Sequence, residues 1–135
     1  MHYFNDTNIL KDLALDGFFV GWPNPPSNEA FIKLLEGSYK VVLAVDDQRL
    51  VGFITAISDG VLSSYIPFLE VLPQYQSKGI GKELVSRMKE QLGHLYMIDL
   101  LCDQALVSYY ERLGMLPATG AMIRNYKNQC GAIND

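Results

Sequence analysis

The sequence predicts one domain, residues 1–135, with a mixed α/β fold. Three observations point to this fold class. Hydrophobic residues make up 49% of the chain and charged residues 19%, a composition typical of a compact globular domain. Segments rich in β-branched residues follow one another across short polar turns, which favours antiparallel pairing. Later segments alternate between helical and strand-like spacing, which is typical of a parallel crossover.

The first quarter of the chain predicts one short strand and two helices. The strand is expected near residues 2–5. Apolar residues at helical spacing then predict a helix that stops at Gly17, and these residues are Ile9, Leu10, Leu13 and Ala14. Ser27 or Asn28 is expected to cap a second helix that ends at Gly37. Its apolar face carries Phe31, Leu34 and Leu35.

The middle of the chain predicts an antiparallel meander of three strands. Residues 39–45 and 50–58 are rich in apolar and β-branched side chains, and the polar residues 46–48 between them predict a hairpin. Residues 59–60 are an Asp-Gly pair, which favours a tight type I′ turn. A third strand over residues 61–71 is therefore expected to return antiparallel to the second.

The second half of the chain predicts two further helices and two further strands. Apolar residues at helical spacing predict a helix over residues 79–92, and residues 95–102 are expected to form a buried parallel strand after it. Asp103 is expected to cap a last helix that ends at Gly114, with Leu106, Val107, Tyr110 and Leu113 facing inward. A final strand is expected near residues 121–126.

Charge and cysteine content exclude several classes of protein. Eleven basic residues against 15 acidic ones give a net charge of −4, which argues against binding nucleic acid through a basic face. Cys102 and Cys130 lie far apart without a Cys-x-x-Cys spacing, so we expect neither a disulfide framework nor a zinc site. The first residues lack the features of a signal peptide, and no apolar run is long enough to cross a membrane. We therefore expect a cytoplasmic protein without a membrane partner.

The junction between the third predicted strand and the next helix has the features of an anion site. A loop with two glycines, Gly79 and Gly81, leads into the helix, whose first amides have no partner within the helix. Glycines let a phosphate approach those amides, and Lys78 and Lys82 add positive charge. The sequence therefore predicts a phosphorylated ligand at this turn.

Spacing separates three phosphate-binding motifs. The Walker A motif does not fit, because it needs a glycine at the position of Gln76. The dinucleotide-binding fingerprint is incomplete, because it needs a third glycine at the position of Leu84. The remaining pattern, Gln-x-x-Gly-x-Gly at a strand-to-helix turn, resembles that of the GNAT superfamily of N-acetyltransferases. Members of that superfamily hold the pyrophosphate of acetyl-CoA at this turn. The resemblance covers most of the chain.

A second motif extends the resemblance. Residues 109–115, Tyr-Tyr-Glu-Arg-Leu-Gly-Met, are similar to a later helix of the family, in which a tyrosine four residues before a glycine donates a proton to the departing CoA thiolate. Tyr110 stands at that position. The sequence departs from the usual pattern at Asp103, where asparagine is common, and at Met115, where phenylalanine is usual.

The resemblance implies a central, mostly antiparallel sheet with helices on both faces and a splayed strand pair that binds acetyl-CoA. It implies transfer of an acetyl group from this co-substrate to a primary amine in a ternary complex, without a metal. A backbone amide near Val71 would face the thioester oxygen. The residues placed against acetyl-CoA are Leu69, Val71, Gln76, Ser77, Lys78, Gly79, Ile80, Gly81, Lys82 and Asp103.

The predicted catalytic residues are Tyr110 and Glu70, and each has an alternative interpretation. Tyr110 is either the acid that protonates the thiolate or a core aromatic residue. Glu70 lies at an apolar strand end, where it is either the base that accepts the amine proton or a structural hydrogen-bond acceptor. Asp99 and water are the other candidate bases. Asp103 is a helix cap or a pantetheine contact.

Two other functions remain open from the sequence. Besides an acetyltransferase, the chain could be a non-catalytic acyl-CoA-binding module of the same fold. The other hypothesis is a phosphate- or nucleotide-binding regulatory domain. The expected acceptor is a small-molecule amine, with a protein amino group as the alternative, and the resemblance places the acceptor near the loop of residues 22–28. A homodimer is also open, because two-fold pairs are the commonest assemblies.

Overall fold

The computed structural model describes residues 1–132, which form a six-stranded sheet with three α-helices. The strands are β1 (His2–Phe4), β2 (Lys40–Asp46), β3 (Arg49–Ser58), β4 (Ser63–Tyr65), β5 (Leu69–Val71) and β6 (Met97–Asp99). The helices are α1 (Asn28–Glu36), α2 (Ile80–Gln91) and α3 (Val107–Arg112). The strand order is β1-β2-β3-β4-β6, with β5 also paired to β3, and every pairing is antiparallel except that of β4 with β6. The predicted fold class is confirmed.

Helices cover both faces of the sheet. Successive residues of β3 point to opposite faces, and each face packs against a different helix. A Cβ atom added to Gly52 would lie 3.2 Å from Leu84 of α2, so this face of β3 packs closely against α2. The next residue, Phe53, is fully buried on the other face, and its ring centroid lies 4.9 Å from that of Phe31 in α1. Ser27 caps α1, since its Oγ accepts the N–H of Ala30 at 3.1 Å.

The predicted splayed strand pair is present. β4 and β6 run parallel as far as the pair Tyr65 and Asp99, and the N–H of Ile66 then donates to the carbonyl of Asp99 at 2.9 Å. After this point the chain turns away from β6, and β5 pairs with β3 alone. The predicted single strand over residues 61–71 is therefore two strands, and a cleft opens beyond their junction.

The hairpin predicted across residues 46–48 is confirmed, whereas the tight turn predicted at residues 59–60 is wrong. Asp47 and Gln48 both have positive φ, 45° and 62°, and connect β2 to β3 as a two-residue turn. The Asp-Gly pair makes no such tight turn, because the carboxylate of Asp59 accepts the backbone N–H groups of residues 61, 62 and 63 at 2.8 to 3.2 Å. These bonds stabilise a longer loop before β4.

The helix predicted over residues 9–16 is wrong. Only a short 3-10 turn, Leu10–Asp12, forms there. Ala14 is instead paired with the start of β3: its N–H donates to Gln48 at 3.0 Å, and its carbonyl accepts from Leu50 at 3.0 Å. Backbone groups used in this bridge are unavailable to a helix, so tertiary pairing overrides the local helical spacing.

The last third of the chain departs most from the prediction. β6 covers residues 97–99 rather than 95–102, and it is an edge strand with Tyr96 84% and Met97 41% exposed, rather than a buried one. Of the described residues, those from 121 to 126 form no strand beside it. The Asp103 side chain makes no capping bond, and a 3-10 turn, Gln104–Leu106, precedes α3.

The described part of the chain, residues 1–132, contains no helix with the length and apolar character needed to span a bilayer.

Candidate active site

The predicted anion loop forms one wall of a cavity of about 520 Å³ at the start of α2. Gly79 precedes the helix with φ +84°, and Ser77 also has a positive φ of 61°. This backbone leads into a helix start whose first amides have no partner within the helix. Of the predicted binding residues, the cavity brings together Leu69, Val71, Gln76, Ser77, Gly79, Ile80, Gly81 and Lys82.

Two side chains of the loop are engaged in local contacts. Gln76 donates through Nε2 to the carbonyl of Val71 at 3.1 Å, which ties the loop to the end of β5. The Lys78 ammonium lies 5.4 Å from the ring centroid of Tyr75 and is not part of the cavity wall. Tyr75 in turn donates to Asp46 at 2.8 Å. Lys82 is thus the basic side chain of the loop that lines the cavity.

The backbone of β5 offers hydrogen-bonding groups to the cleft. The N–H of Thr55 donates to Phe68, and the N–H of Leu72 donates to Val51, so residues 68, 70 and 72 bond to β3. In an antiparallel pair such residues alternate with residues whose backbone groups point outward. The N–H and C=O groups of Leu69 and Val71 therefore point away from β3, toward the side where β6 has splayed apart.

Tyr110 lies between two cavities. It lines the loop cavity and also a central cleft of about 830 Å³ between β5 and the segment after β6. Burial is the main cause that raises the pKa of Tyr110 to about 12, and Tyr109 and Cys102 add to the shift. The hydroxyl therefore keeps its proton at neutral pH.

Tyr109 is a further residue of the loop cavity. Its ring lies 5.1 Å from that of Tyr110, centroid to centroid, and burial raises its pKa. A Cβ atom on Gly81 would lie only 2.7 Å from the Tyr109 hydroxyl. The absence of a side chain at Gly81 therefore makes room for Tyr109 at the start of α2. The sequence motif names Tyr109 but gives no reason to place it there.

Glu70 connects the cleft to the loop after residue 16. Its Oε1 accepts the N–H of Phe19 at 2.9 Å, and its Oε2 accepts the N–H of Val20 at 3.4 Å. Phe19 has φ +60°, a left-handed conformation that is rare for a bulky residue and costs free energy. The Glu70 carboxylate offsets part of that cost, so Glu70 holds this loop against β5.

The other two candidate acids lie in different surroundings. Asp103 lines the central cleft, whereas Asp99 is exposed at the end of β6 and lines none of the cavities described here. The backbone of Asp99 is nevertheless used, since its carbonyl accepts from Ile66. The structure therefore brings Asp103, but not the Asp99 side chain, to the cleft that Glu70 and Tyr110 line.

A third cavity, of about 570 Å³, adjoins the central cleft. Both are lined by Trp22, Pro67, Phe68 and Arg124. The sequence singled out the loop around Trp22, but it did not single out Arg124, which stands in the segment expected to form a strand. No periodicity or motif links Arg124 to the cleft, because the folding back of the last segment brings it there.

The cavities together provide an elongated site. Its loop end has helix amides and Lys82 for an anion, its middle has outward backbone groups and a protonated tyrosine hydroxyl, and its far end has aromatic walls. Such a site suits the transfer of a group from an elongated phosphorylated donor to a second molecule that enters from the aromatic end.

Comparisons with known proteins agree on one family. Residues 7–115 match the family model described as acetyltransferase (GNAT) family. The crystal structure of a candidate acetyltransferase from Deinococcus radiodurans R1 is similar, with a TM-score of 0.91 and 40% identity over 98% of this chain and 94% of that chain. A GNAT family acetyltransferase from Streptococcus pneumoniae TIGR4 has a TM-score of 0.64 and 29% identity over 74% of this chain and 81% of its own.

Curated relatives are longer than this chain. An uncharacterized N-acetyltransferase of Gracilaria tenuistipitata var. liui is 28% identical over 118 residues, which cover 84% of this chain and 65% of the relative. Another, of Pyropia yezoensis, is 29% identical over 102 residues, which cover 72% of this chain and 59% of the relative. The match thus spans about three fifths of the length of these curated relatives.

Proposed function

The chain belongs to the GNAT family of acetyltransferases, and from this premise we propose that it transfers an acetyl group from acetyl-CoA to a primary amine of a small molecule. The observation that carries the proposal is the position of Tyr110, which lines both the loop cavity and the central cleft. A thioester that reaches from the loop into the cleft would pass this hydroxyl.

The donor end of the site fits acetyl-CoA. The pyrophosphate would bind the amides at the start of α2, where Gly79 and Gly81 leave the backbone open and Lys82 supplies charge. The pantetheine arm carries two amide groups, which can pair with the outward N–H and C=O groups of Leu69. Gln76, bonded to the Val71 carbonyl, keeps the loop and the strand in register.

The transfer forms one bond and breaks another. The neutral amine nitrogen attacks the thioester carbon, the new N–C bond forms, and the C–S bond breaks. The amine loses one proton, and the departing thiolate gains one. Negative charge develops on the carbonyl oxygen as the amine attacks, and the N–H of Val71 is the backbone donor we assign to it.

Tyr110 is the proton donor in this proposal. Its pKa of about 12 keeps the proton available, but transfer to a free thiolate, whose conjugate acid has a pKa of about 8.5, would be uphill by roughly 5 kcal/mol. Burial of the thiolate in the cleft raises the pKa of the thiol and narrows this gap. Tyr110 therefore first donates a hydrogen bond to sulfur, and the proton passes as the C–S bond breaks.

Glu70 is a positioning residue in this proposal. Both of its carboxylate oxygens accept backbone N–H groups of the loop that carries Phe19 and Val20. A carboxylate held in this way orients the acceptor side of the cleft. Water in the cleft then accepts the amine proton, so no protein base is needed when the amine enters neutral.

The experiment that tests the proposal follows thiol release from acetyl-CoA with a panel of primary amines. We expect amine-dependent release of CoA together with a stoichiometric acetylated amine, detected by mass spectrometry. The Tyr110→Phe variant, assayed with the same amines, should still bind acetyl-CoA but transfer the acetyl group slowly. Binding of acetyl-CoA without transfer to any amine would instead identify an acyl-CoA-binding module.

A further inference from the structure

The third cavity is the outer end of the acceptor side, and half of its lining residues are aromatic. Trp22 and Phe68 belong to both this cavity and the central cleft, and Tyr65 and Tyr126 complete its aromatic lining. The Trp22 and Phe68 ring centroids lie 6.3 Å apart. An acceptor whose amine reaches the thioester position would therefore extend its remaining atoms along the surface that these two rings form.

One cation lines this path. Arg124 is the only basic residue lining the central cleft or the third cavity within residues 1–132. In the same described part of the chain, its guanidinium forms no ion pair, and its one hydrogen bond is a long one, 3.4 Å, to the carbonyl of the neighbouring Ile123. Most guanidinium donors are thus free to bind an incoming ligand.

The acids on this path do not neutralise Arg124. Glu70 accepts two backbone N–H groups, and Asp103 forms no ion pair with any basic residue described. Arg124 is also absent from the lining of the loop cavity at the start of α2, where the CoA phosphates are proposed to bind. A second anionic group, separate from the CoA phosphates, is therefore what this guanidinium fits.

We propose that the acceptor is an amine that also carries a carboxylate, with Arg124 binding the carboxylate and the aromatic walls holding the apolar body of the molecule. This inference rests on the proposed acetyl transfer. A guanidinium presents two parallel N–H donors that match the two oxygens of a carboxylate, which gives both affinity and orientation. The same charge disfavours acceptors with several cationic groups.

The test uses pairs of acceptors that differ only in the carboxylate. L-phenylalanine, L-leucine and 6-aminohexanoic acid are each compared with their carboxamides, which keep the shape and remove the charge. We expect kcat/KM to be about 10- to 100-fold higher for the acid in at least one pair, the range for a hydrogen bond to a charged group. Equal use of acid and amide in all three pairs would overturn the proposal.

Variants of Arg124 assign the preference to this residue. Arg124→Gln should abolish the preference for the acid by raising its KM, while the KM for acetyl-CoA is unchanged, and Arg124→Lys should keep part of it. Lys127→Gln is the matched control, because it removes the same charge three residues away and outside the cavities. A preference that survives in Arg124→Gln would contradict the assignment.

The outcomes separate this inference from the function on which it rests. Transfer to carboxamides and simple amines without preference for the acids would overturn the carboxylate site and leave the acetyltransferase proposal standing. Failure to bind acetyl-CoA, measured by calorimetry in the same preparations, would overturn both.

Discussion

Tyr110 combines accessibility to two cavities with a raised pKa. We predict that Tyr110→Phe lowers kcat by at least about 100-fold, the usual size of a lost general acid, and changes the Kd of acetyl-CoA less than about threefold. The ring and its packing are retained, so only the proton donor is lost. Tyr96→Phe is the matched control, because Tyr96 is 84% exposed and lines none of the cavities. Parallel losses in kcat and affinity would contradict the assignment of the acid.

The pKa of Tyr110 also predicts the pH dependence of turnover. The acid works only while protonated, and that form is lost as pH rises through about 12, above the usual value of 10.0. We therefore expect kcat to show no decline up to about pH 10 with a saturating amine. An alkaline loss centred near pH 8 to 9 that disappears in Tyr110→Phe would mean that Tyr110 titrates far lower than its burial implies.

Two substitutions of Glu70 distinguish a positioning role from the role of a catalytic base. Glu70→Gln keeps an oxygen that can accept the N–H of Phe19, so we expect kcat within about threefold of the wild-type value. Glu70→Ala leaves the buried N–H of Phe19 without its acceptor, so it should lower the free energy of unfolding by about 1 to 3 kcal/mol and raise the acceptor KM. Loss of the acidic limb of the pH profile together with a large drop in kcat in Glu70→Gln would instead identify Glu70 as the base.

The positions of the residues predicted for the donor site could be anticipated because they depend on local backbone geometry. The motif placed Gly79 and Gly81 correctly at the start of a helix, and Tyr110 reached the cleft from its own short helix. The bond from Glu70 to Phe19 joins residues 51 positions apart, and Arg124 enters the cleft from a segment without regular structure. Contacts at such separations leave no periodic signal in the sequence.

At the scale of elements, the start of α2 couples a glycine to a tyrosine of α3. We predict that Gly81→Ala weakens acetyl-CoA binding about tenfold, because the new Cβ would lie 2.7 Å from the Tyr109 hydroxyl and displace this side chain into the cavity. The free energy of unfolding should fall less than the free energy of acetyl-CoA binding, because alanine favours a helix by about 1 kcal/mol over glycine. Calorimetric titration with acetyl-CoA measures the effect.

A second substitution checks the cause of that loss. Without the Tyr109 hydroxyl, the nearest atoms to the new Cβ are the Tyr109 Cζ and the Val71 Cγ2, both at 3.9 Å, which is ordinary contact. The double variant Gly81→Ala, Tyr109→Phe should therefore bind acetyl-CoA more tightly than Gly81→Ala alone. No recovery would show that the Tyr109 hydroxyl is not the source of the clash.

Elements were predicted well where local spacing and burial agree. The α1 and α2 helices and the hairpin of β2 and β3 follow their apolar patterns because those faces are buried in the core. Residues 9–14 have helical spacing, but Ala14 is used in a bridge to β3. Residues 95–102 are mostly apolar, but of these residues only Leu95 is buried, so the apolar run predicted a longer and more internal strand than the three residues observed.

At the scale of the whole molecule, the sheet lies between the loop proposed to bind the donor and the aromatic side proposed to bind the acceptor. The α2 helix and its loop cover one face and supply the anion end of the site. On the other face, a cluster of rings that includes Phe19, Phe31 and Phe53 supports the loop of Trp22. β5 lies between these two halves with its outward backbone groups. The cleft opens where β4, which pairs with β6, is followed by β5, which pairs with β3 alone. This divergence is a property of the sheet rather than of any single motif.

The measurement that tests the account most directly is thermal unfolding with acetyl-CoA, CoA, ATP and NAD. A ligand at about 100 times its Kd stabilises the folded state by roughly 2.7 kcal/mol, which for a chain of this length corresponds to a rise in Tm of about 8 to 12 °C. We predict this shift for acetyl-CoA and CoA, with none for NAD and little for ATP. Protection by ATP or NAD without any effect of the two CoA ligands would contradict the assignment of the loop before α2 as the acetyl-CoA site.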